Sequence, residues 1–182
     1  MKAAPEAGTI RLTPFAKVGL VAGGYLAALA TTWVAVKSYI AATSGPDREL
    51  YAAMYDFGDS LLFLAVLGVA ATVPTGAALY WLRPSPGFWA RLSIAALTIA
   101  WTSLAAMPAY FAPMAFGASG PLRTLSSIAV LRILVAPLFV LFFLLSGLLA
   151  PNRKARISLL AATAMEAVAF ACVASWWFHS SR

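Results

Sequence analysis

Five ionisable side chains, Lys37, Asp56, Asp59, Arg132 and Glu166, fall within or beside apolar stretches of this sequence. Charge buried in hydrocarbon is costly, so such groups are candidates for ion binding, proton relay or mutual pairing. Lys37, Asp56, Asp59 and Arg132 are expected near one end of the apolar segments. Arg132 requires a carboxylate there; Asp56 or Asp59, at the head of the second segment, is its natural partner, with Lys37 available to the other. The four then form either a charge-paired clamp or an outward-opening polar pocket for an ionic or metal ligand, and the clamp is favoured. Glu166 stands apart, about nine residues into the last segment and ~14 Å from its inner end. It is read as a neutral buried acid hydrogen-bonded to Thr163, Ser146 or a carbonyl, as a proton- or cation-carrying group, or as a contact to a partner subunit.

Other chemistries lack their residues. Cys172 and His179 are the only cysteine and histidine, which excludes an intrachain disulfide, a thiolate metal cluster and a haem held between two histidines. Met54, Met107, Met114 and His179 are too sparse for a copper(I) site. No Ser/His/Asp arrangement and no phosphate-cradling glycine motif is present. No catalytic residue, cofactor or metal is therefore expected.

The elements that must position these residues follow from composition. Of 182 residues, 62% are hydrophobic and 10% charged, with mean hydropathy +0.85; soluble domains carry roughly 45–50% apolar and about 25% charged residues. Neither a water-soluble domain nor a disordered chain fits. The expected fold is an all-α, polytopic membrane bundle forming one domain over 1–182, with five transmembrane helices near 18–40, 57–82, 88–110, 125–149 and 157–178. The net charge of +7 is assigned to loops rather than to nucleic-acid binding. Lys2, Arg11, Lys17, Arg83, Arg91, Arg153, Lys154 and Arg156 fall on one side. The other side carries Lys37, Arg48, Arg123, Arg132 and Arg182 together with Asp47, Glu49, Asp56 and Asp59. That asymmetry predicts a cytoplasmic N-terminus and an outer C-terminus. A signal peptide competes for the first segment, but its apolar run continues through Trp33 and Val36, beyond the usual length.

The connections are short. Pro84–Gly87 and Pro151–Asn152 each predict a helical hairpin, and both inner turns lead into the pattern A-R-φ-S-φ-x-A-x-T, at Ala90–Thr98 and Ala155–Thr163. Two duplicated hairpins after a leading helix would explain the match. Pro46, followed by Asp47 and Glu49, starts an amphipathic outer helix over 46–60 that runs into span two. A straight helix from Pro46 to Leu82 would be ~55 Å long, so a bend is expected near Gly58 and a second distortion at Pro74. Pro108 and Pro113 are expected to stop span three, leaving an apolar loop over 107–117. Gly19 and Gly23, followed by Gly24 and Ala28, give span one a small-residue packing face.

The stretch Tyr55-Asp56-Phe57-Gly58-Asp59-Ser60-Leu61-Leu62-Phe63-Leu64 resembles small multi-pass proteins of bacterial inner membranes. So do Pro74-Thr75-Gly76, Leu82-Arg83-Pro84 with Phe88-Trp89, and Ala150-Pro151-Asn152-Arg153. The resemblance implies an inner-membrane location and brings no activity with it. Three function classes fit the sequence. An accessory or scaffold subunit, in contact with the bilayer and with a membrane-protein partner or a second copy, is favoured. A small ion-coupled carrier with an acidic outer mouth comes next. A lipid-modifying enzyme comes last, for want of a nucleophile or base with a positioned partner.

Overall fold

The structure, a computed structural model, describes residues 13–117 and 120–180; Lys2, Arg11 and Arg182 of the charge asymmetry lie outside them. It is 91% helical, and no strand occurs among the described residues. The described residues form eight helices in order: α1 (Pro14–Ala42), α2 (Pro46–Leu50), α3 (Ala52–Ala70), α4 (Thr72–Trp81), α5 (Pro86–Phe116), α6 (Gly120–Leu134), α7 (Ala136–Leu149) and α8 (Arg153–Ser180). Four helical segments are long and apolar enough to cross a membrane: α1, α3 with α4, α5, and α8. The bent pair α6–α7 makes a fifth if counted as one span.

Several breaks fall elsewhere than the sequence suggests. The helix expected over 46–60 ends at Leu50, and the chain breaks at Tyr51 rather than near Gly58. Gly58 lies inside a continuous α3, where nothing would meet a side chain at that position, so its backbone freedom is not used. The second distortion does occur beside Pro74: without an N–H, Pro74 cannot bond the carbonyl of Ala70, and α3 gives way to α4 at Ala71. Pro108 and Pro113 do not stop span three. α5 runs through both for 31 residues and ends at Gly117, whose φ of 85° is open to glycine at little cost. The expected loop over 107–117 is thus mostly helix, and Tyr110 is buried in it. Span four is bent by 41° between α6 and α7. Pro137, at the start of α7, leaves the carbonyl of Ile133 without its helical donor and accounts for the kink.

The helices form two groups. α5 packs on α6 and α8, and α7 packs on α8, while α1 packs on α3 and α4 and joins the first group through α4 and α3 against α7. The first expected hairpin therefore opens, with α4 lying on α1 and α7 rather than along α5. The Trp89 indole still ties the start of α5 to the end of α4, donating to the Leu82 carbonyl at 3.1 Å. The second hairpin, α7 with α8, closes tightly; a Cβ on Gly147 would stand 3.1 Å from Leu160.

Small residues set the seams. α5 buries Trp89, Ser93, Ala96, Ala100, Ser103, Ala106 and Tyr110, and α8 buries Ala155, Leu159, Ala162, Glu166, Ala169 and Val173. Alternating steps of three and four residues keep one narrow stripe of each helix facing its neighbours, and the alanines allow close approach. On α1 the buried residues are Ala28, Thr32 and Val36. Gly24 belongs to this side, since a Cβ there would come within 2.8 Å of Pro74, whereas Gly19 and Gly23 meet nothing within 4 Å. The expected packing face is rotated: Gly24 and Ala28 serve the bundle, and the Gly19–Gly23 stripe faces outward because it lies about one residue's turn away from the α4 contact. Gly68 likewise admits Leu138 of α7, which would collide with any Cβ.

This packing predicts that Gly24→Leu and Gly68→Leu each destabilise the detergent-solubilised protein by about 1–3 kcal/mol through overpacking, while Gly19→Leu and Gly23→Leu leave it unchanged. Thermal unfolding of the four variants checks this. Equal losses at all four would contradict the assigned face.

Candidate functional site

Among the described residues the ionisable side chain with 0% exposure is Glu166, near the midpoint of α8. It occupies a seam position of that helix, so its carboxylate enters the core between α5 and α6. Two donors meet it there. The Arg132 guanidinium forms an ion pair through Nη2 to Oε1, and the Ser103 hydroxyl donates to Oε2 at 2.6 Å. Arg132 is held in turn by further acceptors: Nε donates to Thr102 Oγ1 at 2.9 Å and Nη2 to the Ile99 carbonyl at 3.0 Å. The Phe139 ring lies 4.7 Å from the guanidinium carbon, within cation–π range. One nitrogen, Nη1, is buried without a partner, as is the hydroxyl of Ser146.

The centre thus draws on α5, α6, α7 and α8 and lies at mid-length of the spans. Counted from a span four that begins near Leu125, Arg132 is expected toward the outer end. α6 begins at Gly120, which puts Arg132 just before the kink and level with Glu166. The expected pairing of Arg132 with Asp56 or Asp59 does not occur, and Glu166 is not left without an arginine beside it. A guanidinium at this depth is stabilised by the nearest carboxylate, and that is Glu166, which shares the three-helix core with it.

The acids at the head of span two find another cation. Asp59 forms an ion pair with Arg48, which also donates to Thr43 Oγ1 at 2.7 Å and lies 4.9 Å from the Tyr55 ring centre. This closes the turn between α1 and α3 on α2 alone. Lys37 is exposed and stacks over Trp33 at 6.0 Å, and Asp56 is exposed one residue from Tyr55. The four-residue cluster is therefore not assembled. α2 begins four residues after the end of α1, which sets Arg48 rather than Lys37 against Asp59. The second Asp59 oxygen is buried without a partner.

Ser103, Thr102 and Arg48 were not singled out by the sequence. The signal for Ser103 is the alternation Ala96, Ala100, Ser103, Ala106, which sets a hydroxyl into an otherwise apolar seam. The C-terminal ends of α5 and α8 carry a second polar contact, with Trp177 Nε1 donating to the Tyr110 hydroxyl at 2.6 Å beside the edge-to-face pair Phe111–Trp176. Five surface cavities, of about 210 to 570 Å³, are lined by residues other than Arg132 and Glu166.

Ser103→Val removes a donor from a fully buried carboxylate and is expected to lower stability by about 1–3 kcal/mol. Thr102→Val, on the exposed rim, should cost less than about 1 kcal/mol. Chemical or thermal unfolding of both variants in one detergent measures the difference, and a larger loss at Thr102 would count against the geometry. No protein-family model, curated protein or solved structure matches the chain. The helical, apolar segments are compatible with a membrane protein.

Proposed function

We propose that the chain is a non-enzymatic accessory or scaffold subunit of a membrane complex, inserted with its N-terminus in the cytoplasm. The motif resemblance supports a bacterial inner membrane as part of this reading. The observation that carries the reading is the engagement of the one mid-span acid by a cation and a hydroxyl of the same chain. A carboxylate held on both oxygens serves to fix helices together, whereas a relay or carrier site needs an acid free to exchange its ligand. The surface available to a partner is the outward stripe of α1, where Gly19, Gly23 and Ala30 are exposed beside Trp33 at 60%, a pattern suited to close helix approach.

One observation favours a carrier instead: the unpartnered Asp59 oxygen lies beside a cavity of about 450 Å³ lined by Val36, Asp59, Ser60, Phe63 and Leu64. Native mass spectrometry of the tagged chain from its own host separates the readings. The scaffold reading expects a membrane-protein partner, or a second copy, at fixed stoichiometry, lost in Gly23→Leu while the melting temperature holds. A lone chain whose proteoliposomes take up a cation, with uptake abolished by Asp59→Asn or Glu166→Gln, would overturn it.

A further inference from the structure

The end of the bundle that carries the starts of α5 and α8 holds a cavity of about 530 Å³, lined by Ala90, Ser93, Asn152, Arg153, Lys154, Ala155 and Ser158. The two copies of the A-R-φ-S motif meet in it: Ala90 faces the same space as Ala155, and Ser93 the same space as Ser158. The spare hydrogen-bonding capacity of its walls is mostly donor. Asn152 accepts from the Ala155 N–H at 2.7 Å through Oδ1, which leaves its amide hydrogens. Ser93 uses its proton on the Trp89 carbonyl at 2.8 Å, whereas the Ser158 hydroxyl is unengaged among the described residues. Arg83 and Arg156 donate to the Leu149 and Ala150 carbonyls at the end of α7, at 3.0 and 3.2 Å. Arg153 and Lys154 are exposed and have no such acceptor among the described residues. No described carboxylate lies at this end: Asp47, Glu49, Asp56 and Asp59 are at the other, and Glu166 is at mid-length.

A guanidinium, an ammonium, an amide and a hydroxyl around one cavity, with no counter-charge at this end among the described residues, fit an anion with several acceptor oxygens. We propose that this cavity binds a phosphate group, with Arg153, Lys154, Asn152 and Ser158 as its donors. The group is supplied either by the headgroup of an acidic phospholipid or by a soluble phosphate. The first is chemically apt at a bundle end that carries the exposed Tyr80 and the half-buried Trp81, residue types that favour the headgroup region.

The test titrates the full chain, purified in a non-ionic detergent, with phosphatidylglycerol, with a diacylglycerol of the same acyl chains, and separately with inorganic phosphate. Native mass spectrometry reads lipid occupancy and thermal unfolding reads phosphate. Phosphatidylglycerol should bind where the diacylglycerol does not. Arg153→Gln and Lys154→Gln should each weaken it about fivefold, and the double variant about twenty-five-fold. Arg123→Gln, at the opposite end, should leave it unchanged. Stabilisation by inorganic phosphate with the same dependence on Arg153 and Lys154, and no preference for the lipid, would assign a soluble phosphate to the same donors. Both residues are exposed, so their variants should fold as the parent does, which the melting temperature checks. Equal binding of phosphatidylglycerol and diacylglycerol without any response to inorganic phosphate, or binding indifferent to the double variant, would overturn the proposal.

Discussion

A hydrocarbon interior offers no water to a charge, so an arginine and a glutamate at mid-span must be satisfied by the protein itself. The arrangement of α5, α6 and α8 is the solution. Glu166 is fully buried only because the alanines of α5 and α8 let the helices approach until Ser103 touches the carboxylate. Arg132 arrives because the kink at Pro137 frees α6 to lie on α5 while α7 stays with α8. Removing either charged partner would leave the other stranded in a low-dielectric core. Such a pair therefore specifies which helices meet more than it adds to net stability.

The rest of the molecule is built around that core with looser means. α1 and the α3–α4 span contribute few buried residues, and they dock through close approaches at Gly24 against Pro74 and Gly68 against Leu138. Their polar closure is local, with Arg48 drawing Thr43, Tyr55 and Asp59 into one turn. A strongly locked three-helix unit beside a lightly attached two-span layer leaves the outward face of α1 as the surface free for lipid or for another helix. The same division separates the two polar ends: acids gather where α2 and α3 begin, and uncompensated cations gather where α5 and α8 begin.

The all-helical architecture was legible because continuous apolar runs of this length admit no other backbone solution in lipid. The existence of five apolar segments was legible for the same reason, while which of them form single straight spans was not. Helix ends depended on prolines, whose effect is set by position: Pro74 and Pro137 sit at the first turns of α4 and α7 and coincide with breaks, whereas Pro108 and Pro113 ride within α5. Glu166 and Arg132 were recognisable as costly residues, but their partnership depended on how the spans are offset. That offset is set by the extra turn of α6 before Leu125, which hydropathy does not register because Arg123, Thr124 and the serines after it are polar. Similarly, periodicity reveals a small-residue stripe on α1 and leaves open which side of it meets Pro74.

A double-mutant cycle on Arg132→Met and Glu166→Met, followed by thermal unfolding of the protein in lipid nanodiscs, tests the central claim most directly. If the mid-span ion pair fixes the three-helix core, each single variant loses about 3–5 kcal/mol and the double variant recovers most of that loss. Losses that simply add would contradict the account, because they would mean that the two side chains are stabilised independently and that the helices are held by packing alone.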